Sequence, residues 1–130
     1  MKDGFLRYAY NFLGKERHVV SSSERIPEGP CDLAFSFEKT GQQPFGAGGV
    51  ARLYVNGKQV GEGNIPRTVP FLFALGESLQ CGRNEGNAVS DEYEAPFAFG
   101  GTLRRVIVDL SGPEPPRDLE HEAEIEMARQ

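Results

Sequence analysis

The sequence of 130 residues predicts an all-β protein, an antiparallel β-sandwich with a short C-terminal helix. Apolar residues alternate with polar ones in several short runs, the pattern of strands with one buried face. Sixteen glycines and nine prolines interrupt these runs at short intervals, without helical periodicity between them. We expect one domain over residues 1–112, followed by a Pro-rich link and an acidic helix or tail over 113–130.

Three runs show the strand alternation most directly. Their apolar positions are Leu6, Tyr8, Tyr10 and Phe12, then Cys31, Leu33, Phe35 and Phe37, then Val69, Phe71, Phe73 and Leu75. Aromatic and β-branched side chains at every second position are typical of half-buried strands. Because Cys31 and Cys81 are in register with apolar residues, we expect two small buried side chains with free thiols.

Two further segments are predicted as strands. In LYVNGKQVGEG, Asn56-Gly57 tolerates the positive φ angles of a type I′ turn, which predicts a hairpin between Val55 and Val60. The segment TLRRVIVDL, residues 102–110, has apolar residues at both parities. A strand that is apolar on both faces is expected to be central in its sheet, or covered by another part of a larger protein.

Residues 113–130 form an acidic tail. They hold six acidic residues against two arginines, a net charge of −4 out of the total of −5. Asp118 is expected to cap a helix with a narrow apolar stripe formed by Leu119, Ala123 and Met127. An isolated helix of this length is marginal in water, so we expect it to form by docking onto its own sandwich or onto a second copy.

Charge and hydropathy argue against two classes of partner, nucleic acid and membranes. A nearly neutral body with an acidic tail has no basic stripe for phosphates, so nucleic acid is not an expected partner. No apolar run approaches the roughly 20 residues of a bilayer span, and residues 1–4 lack the features of a signal peptide. We therefore expect a cytoplasmic protein that does not bind membranes.

The polar loop CGRNEGNAVSDEYEAPFAFGG, residues 81–101, holds the candidate site residues. Ca²⁺ accepts irregular loops with mixed oxygen ligands, and Asn84, Asp91 and Glu92 are the candidate ligands. A second hypothesis is a surface or ligand-binding loop that uses Arg83, Asn84, Glu85, Asp91, Tyr93 and Glu94. The third is a plain connection whose acids stay in water while Phe97 and Phe99 return the chain to the core.

No grouping of residues indicates catalysis. His18 and His121 do not have metal-ligand spacing and belong to no Ser/His arrangement. The run Asp91–Glu94 does not have the spacing of a retaining glycosidase pair on a strand. We expect no catalytic residues in this chain.

The run RLYVNGKQVGEGNIPRTVPFLFALGESLQCGRNEGNAVSDEYEAPFAFGGTLRRVIVDLSG, residues 52–112, resembles the C-terminal module of large bacterial arylsulfatases. YNFLGKERHVV and RDLEHEAEIEMARQ fit the same module, so the resemblance covers nearly the whole chain. Its most specific parts are TVPF at 68–71 and GRNEGNAVSDEYEAPFAFGGT at 82–102. The resemblance implies a concanavalin A-like, jelly-roll type of sandwich that accompanies a catalytic domain of alkaline-phosphatase type.

The catalytic features of such enzymes do not carry over. Sulfatases need Cys or Ser in a Cys/Ser-x-Pro/Ala-x-Arg motif, converted to formylglycine, and an Asp/Asn cluster that holds Ca²⁺. Cys31 begins CDLAF and Cys81 begins CGRNE, so neither supplies the motif. This chain also has Asn84 where the family usually has Asp, which weakens the case for a tight cation site in the loop.

The resemblance therefore implies a non-catalytic accessory module that serves interaction, assembly or the covering of a catalytic cleft. The expected partners are a sulfatase catalytic domain or a second copy in a homodimer. The alternative is a lectin-like module for carbohydrates or sulfated ligands. Sugar binding usually needs exposed aromatic rings, and here there is no Trp, while Tyr54 and Tyr93 are the tyrosines expected to be free.

Overall fold

The computed structural model describes residues 1–70 and 79–110. These residues form strands β1 (Phe5–Phe12), β2 (Glu16–Arg25), β3 (Leu33–Lys39), β4 (Ala47–Val55), β5 (Lys58–Arg67), β6 (Arg83–Asn84) and β7 (Phe97–Ala98). Every pairing is antiparallel, which confirms the predicted all-β class for the described part. The strand positions Phe71, Phe73 and Leu75 and the predicted C-terminal helix lie outside the described residues.

The described strands belong to three sheets, with the orders β1-β2, β3-β4-β5 and β6-β7. In the first sheet Tyr10 lies opposite His18, and in the second Phe35 lies opposite Leu53. The β1-β2 hairpin packs on the three-stranded sheet, with β2 mainly against β5. The result is two layers with apolar side chains between them.

The β4–β5 hairpin turns at Asn56-Gly57, as predicted. The φ angles are 48° at Asn56 and 80° at Gly57, the left-handed pair that a type I′ turn requires. Asn56 has a second role, because its side-chain Oδ1 accepts a hydrogen bond from the Asp32 backbone N at 2.9 Å. The Asn56 N in turn donates to the Asp32 carbonyl at 2.8 Å, so this turn also holds the start of β3.

The core lies where the β1-β2 hairpin covers β4 and β5. Its buried members are Tyr10, Val20, Ala51, Leu53, Val55, Val60 and Ile65, with Leu6, Tyr8, Phe12 and Val69 packed against them. The predicted face of β1 is therefore the core face. The Tyr10 hydroxyl, buried with its ring, accepts a hydrogen bond from the Val69 N at 2.7 Å. This bond satisfies a polar group whose burial would otherwise be costly.

Two glycines of β5 allow β2 to approach this closely. A Cβ at Gly61 would lie 2.9 Å from the Ser21 carbonyl oxygen. A Cβ at Gly63 would fall inside the van der Waals radius of Val20 Cγ2. Because of these glycines, the sequence of β5 lacks the alternation that is typical of a strand. The missing side chains leave the space in which Val20 enters the core.

The face of β3 is less buried than its alternation predicts. Leu33, Phe35 and Phe37 share the side of the sheet that carries Leu53, but they are 38–45% exposed. The Phe35 ring stacks on Tyr8 with 4.1 Å between centroids, at the margin of the covered area. These side chains are exposed because the β1-β2 hairpin lies over β4 and β5, while β3 lies beyond the edge of the hairpin. We call Leu33, Phe35 and Phe37 the open face.

Two other sequence predictions are wrong in the described residues. The segment 102–110 is not a strand, and its apolar side chains are exposed, Ile107 by 72% and Leu110 by 89%. Its pattern indicated burial on both faces, but no neighbouring strand in the described part pairs with it. Cys81 is exposed and Cys31 is half-buried, and both thiols are free as expected.

Candidate functional site

The polar loop is closed at its base by the short β6-β7 ladder. Arg83 pairs with Ala98 and Asn84 with Phe97, and the Phe99 N donates to the Gly82 carbonyl at 2.8 Å. This ladder brings the two ends of the loop together, so the residues between 85 and 96 form one connected surface.

Tyr93 orders the inside of the polar loop. Its hydroxyl accepts hydrogen bonds from Asn84 Nδ2 at 2.7 Å and from the Val89 N at 3.0 Å. Its ring lies 5.2 Å from that of Phe97, and Asn84 Oδ1 accepts from the Gly86 N at 3.1 Å. Tyr93 is thus half-buried and engaged, which corrects the expectation that it would be free.

The acidic part of the loop attaches it to the β1-β2 hairpin. Glu92 forms an ion pair with Arg7 of β1, and its carbonyl accepts from Lys2 Nζ. Asp91 pairs with Arg17 of β2 at 2.7 Å. Two of the acids that the plain-connection hypothesis leaves in water are therefore paired with arginines.

The outer face of β1 is the surface that receives the loop. Arg7, Ala9 and Asn11 alternate with the core residues of the same strand, and Asn11 Nδ2 donates to the Val89 carbonyl at 3.1 Å. The hairpin therefore has the apolar core on one side and the polar loop on the other. Sequence reasoning missed Lys2, Arg7, Asn11 and Arg17, because they stand 74 to 90 positions from their partners.

The candidate calcium ligands do not fit a cation well in this arrangement. The Asn84 side chain is used within the loop, while Asp91 and Glu92 each face a guanidinium group. Residues 1–70 and 79–110 contain no group of three or more His, Cys, Asp or Glu side chains that could hold a metal ion. A Ca²⁺ ion would have to displace both arginines, and the calcium site stays a prediction.

A cavity of about 730 Å³ lies between the outer face of β1 and the polar loop. Its charged and aromatic lining residues are Lys2, Asp3, Arg7, Arg83, Glu92, Tyr93, Phe97 and Phe99, with Asn84 and Ser90 beside them. Arg83, Asn84 and Tyr93 of the predicted ligand loop thus reach the cavity. The other three members, Glu85, Asp91 and Glu94, do not line it, and Glu85 instead pairs with Arg83 at 3.0 Å.

Arg7 is one of the charged residues that line this cavity. Its side chain is 26% exposed, and its Nη1 contacts a carboxylate oxygen of Glu92. Its Nε is buried and has no hydrogen-bond partner. A guanidinium group presents five N–H donors in a fixed plane, so Arg7 has donor capacity beyond its bond to Glu92.

Shifted pKa values occur elsewhere on the hairpin. Burial, and then the nearby Tyr10 hydroxyl, raises the pKa of Tyr8 to about 12. A hydrogen bond from the Arg67 side chain lowers the pKa of Glu16 at the start of β2. The shift of Tyr8 results from packing at the margin of the core, and the shift of Glu16 results from the ion pair that joins β2 to β5. Neither shift marks a reaction centre.

No protein-family model, curated protein or solved structure was found to match this chain. Residues 1–70 and 79–110 contain no helix with the length and apolar character needed to cross a bilayer.

Proposed function

We propose that this chain is a non-catalytic accessory β-module that acts by binding another protein surface. The observation that supports this most is the large number of exposed apolar side chains in two places. One is the open face of β3, and the other is the segment 102–110, where Leu103, Val106, Ile107, Val108 and Leu110 are 49–89% exposed. Contiguous exposed apolar side chains of this kind usually mark an interaction surface.

The open face differs from the opposite side of the same sheet, which is polar. On the opposite face of β4, Arg52 lies between Glu38 and Glu62, at 2.7 Å and 2.8 Å. The hydrogen bond that Arg52 donates to Glu38, and then the one that it donates to Glu62, raises the pKa of Arg52. This cross-strand group suits a surface in contact with water, so docking is proposed for the open face and the segment 102–110 but not for this side of the sheet.

The proposed partner is the catalytic domain of an arylsulfatase-type enzyme, in keeping with the sequence resemblance. The module would stabilise that domain or cover part of its cleft, and the chemistry would belong to the partner. A homodimer is the other expected assembly, because a second copy offers the same apolar surface. Both assemblies would bury Phe37 and Ile107.

The test is an association assay with matched variants. The probe is the catalytic domain of a bacterial arylsulfatase whose C-terminal module has been removed, mixed with this chain and analysed by sedimentation velocity. We expect a complex, and we expect Phe37→Lys and Ile107→Lys each to weaken it at least about tenfold, because both place a charge in an apolar contact. Arg52→Gln, on the polar face, should leave it unchanged.

The same assay can reject the proposal. A homodimer that both substitutions disrupt would keep the interaction function and make the second copy the partner. A chain that stays monomeric and binds no catalytic domain at concentrations of about 100 μM would contradict it. Turnover of an aryl sulfate by the pure chain would contradict the non-catalytic part.

A second candidate function is a lectin-like module for carbohydrates or sulfated ligands. The cavity beside the polar loop favours it, since exposed aromatic rings and cationic side chains line the same space. Ligand sites commonly combine apolar walls with a few polar groups that fix orientation.

A further inference from the structure

The cavity between β1 and the polar loop contains an ion pair, Arg7 with Glu92, beside the exposed aromatic side chains Phe97 and Phe99. We infer that this cavity binds a sugar-sized anion, and that the anionic group of the ligand replaces the Glu92 carboxylate on Arg7. This inference rests on the second candidate function above and specifies its ligand class and its central residue.

The cationic side of the cavity comes from three separate segments. Lys2 precedes β1, Arg7 lies on the outer face of β1, and Arg83 lies on β6. Two acids, Asp3 and Glu92, line the same space. Arg83 is paired with Glu85, so three cationic side chains face three carboxylates while Glu92 is in place. When the Glu92 carboxylate leaves Arg7, one positive charge is left without a counter-charge. An anion is therefore favoured over a cation or a neutral group.

Arg7 is suited to hold the anion. Its side chain is 26% exposed and lines the cavity, and its Nη1 is bound to Glu92. Carboxylate and sulfate groups can accept two parallel hydrogen bonds from a guanidinium group, whereas Glu92 accepts one, from Nη1. The Glu92 side chain is 32% exposed and belongs to a loop, so it can move away when a ligand anion takes its place.

The aromatic side of the cavity suits a ring with apolar C–H groups. Phe97 is 49% and Phe99 38% exposed, and Tyr93 stands beside Phe97. Gly82 and Gly100 line the same space, and a Cβ at either would meet no atom closer than 3.6 Å, so a ligand can approach the backbone there. The volume of about 730 Å³ lies within the roughly 300–1,000 Å³ of small-molecule sites. An anionic mono- or disaccharide fits this combination.

The anion could be a sulfate ester or a carboxylate, and the experiment separates them. Isothermal titration of the full chain uses galactose 6-sulfate, glucuronic acid, neutral galactose and sodium sulfate, all at one ionic strength. We expect at least one charged sugar to bind at least about tenfold more tightly than galactose and than free sulfate, because only it fills both sides of the cavity.

Three variants test the role of Arg7. Arg7→Gln should weaken binding of the charged sugar at least about tenfold, whereas Glu92→Gln should tighten it severalfold, because it removes the internal competitor. Arg17→Gln is the matched control, since Arg17 also pairs with a loop acid but does not line the cavity. Should Arg7→Gln unfold the chain, as judged from its thermal midpoint, Arg7→Lys and Glu92→Gln supply the comparison.

Several results would overturn the inference. One is that neither charged sugar binds at concentrations up to about 10 mM. Another is that Arg7→Gln and Arg17→Gln lose the same amount of affinity for the charged sugar. The third is that Glu92→Gln binds the charged sugar more weakly than the wild type. Equal affinity for galactose and its sulfate would remove the role of the anion but leave a lectin-like module. None of these results bears on the association assay, which depends on Phe37 and Ile107 at a different surface.

Discussion

The covered and uncovered parts of the three-stranded sheet have the same kind of sequence but different surroundings. In β4 the alternating residues include Leu53, which is 1% exposed, and directly opposite in β3 stands Phe35, which is 45% exposed. Both strands alternate with period two, and both direct large apolar side chains to the same side. The difference lies in the layer above, where the β1-β2 hairpin covers β4 and β5 but not β3. Alternation thus predicts which face of a strand is apolar, and the neighbouring layer decides whether that face is buried.

The largest effect should come from truncating side chains on the covered side. Leu53→Ala or Ile65→Ala removes a fully buried side chain and should lower the free energy of unfolding by about 2–5 kcal/mol. Phe35→Ala, on the open face, should cost about 1 kcal/mol or less, because half of its surface is already in water. Urea denaturation of the three variants measures the difference. Equal losses would mean that the open face is covered in solution.

A second effect should appear where the covering layer is closest. Gly63→Val would force a side chain against Val20 and should destabilise the chain by about 1–3 kcal/mol. Gly100→Ala is the control, since a Cβ at Gly100 has no atom within 4 Å. Thermal midpoints of both variants provide the measurement. An unchanged thermal midpoint in Gly63→Val would show that β2 and β5 are not in close contact.

A third effect concerns Tyr8, at the boundary between the covered and uncovered parts. Because the pKa of Tyr8 rises from 10.0 to about 12 on folding, the folded chain holds this proton more tightly than the unfolded chain. The corresponding stability is complete below about pH 10 and is lost as the pH rises through about 12. Tyr8→Phe should therefore lose less stability than the wild type between these pH values. Parallel alkaline unfolding curves for the two proteins would contradict this.

The smallest effect on stability should come from the segment 102–110. Ile107→Asp replaces a side chain that is 72% exposed, so the free energy of unfolding should change by no more than about 0.5 kcal/mol. Binding of a dye that reports exposed apolar surface should fall in the same variant. A large loss of stability would instead show that Ile107 is buried in the isolated chain.

Only part of the candidate site could be predicted from the sequence. The polar loop and its members Arg83, Asn84 and Tyr93 were recognisable from composition, and the cavity does lie beside them. The residues that complete it, Lys2 and Arg7, could not be found, because the ion pair of Arg7 joins residues 85 positions apart. The pairing follows from placing the loop on the outer face of β1, and nothing local in either segment indicates that contact.

Local preferences determined much of this protein from the sequence alone. The period-two runs of β1 and β3 and the Asn56-Gly57 turn act over a few residues, through side-chain direction and permitted φ angles. Only the tertiary structure decided that β3 lies beyond the covering hairpin, that residues 102–110 remain unpaired with any described strand, and that Glu92 meets Arg7. Burial and ion pairing depend on which distant surfaces come into contact, and that is a property of the packed layers.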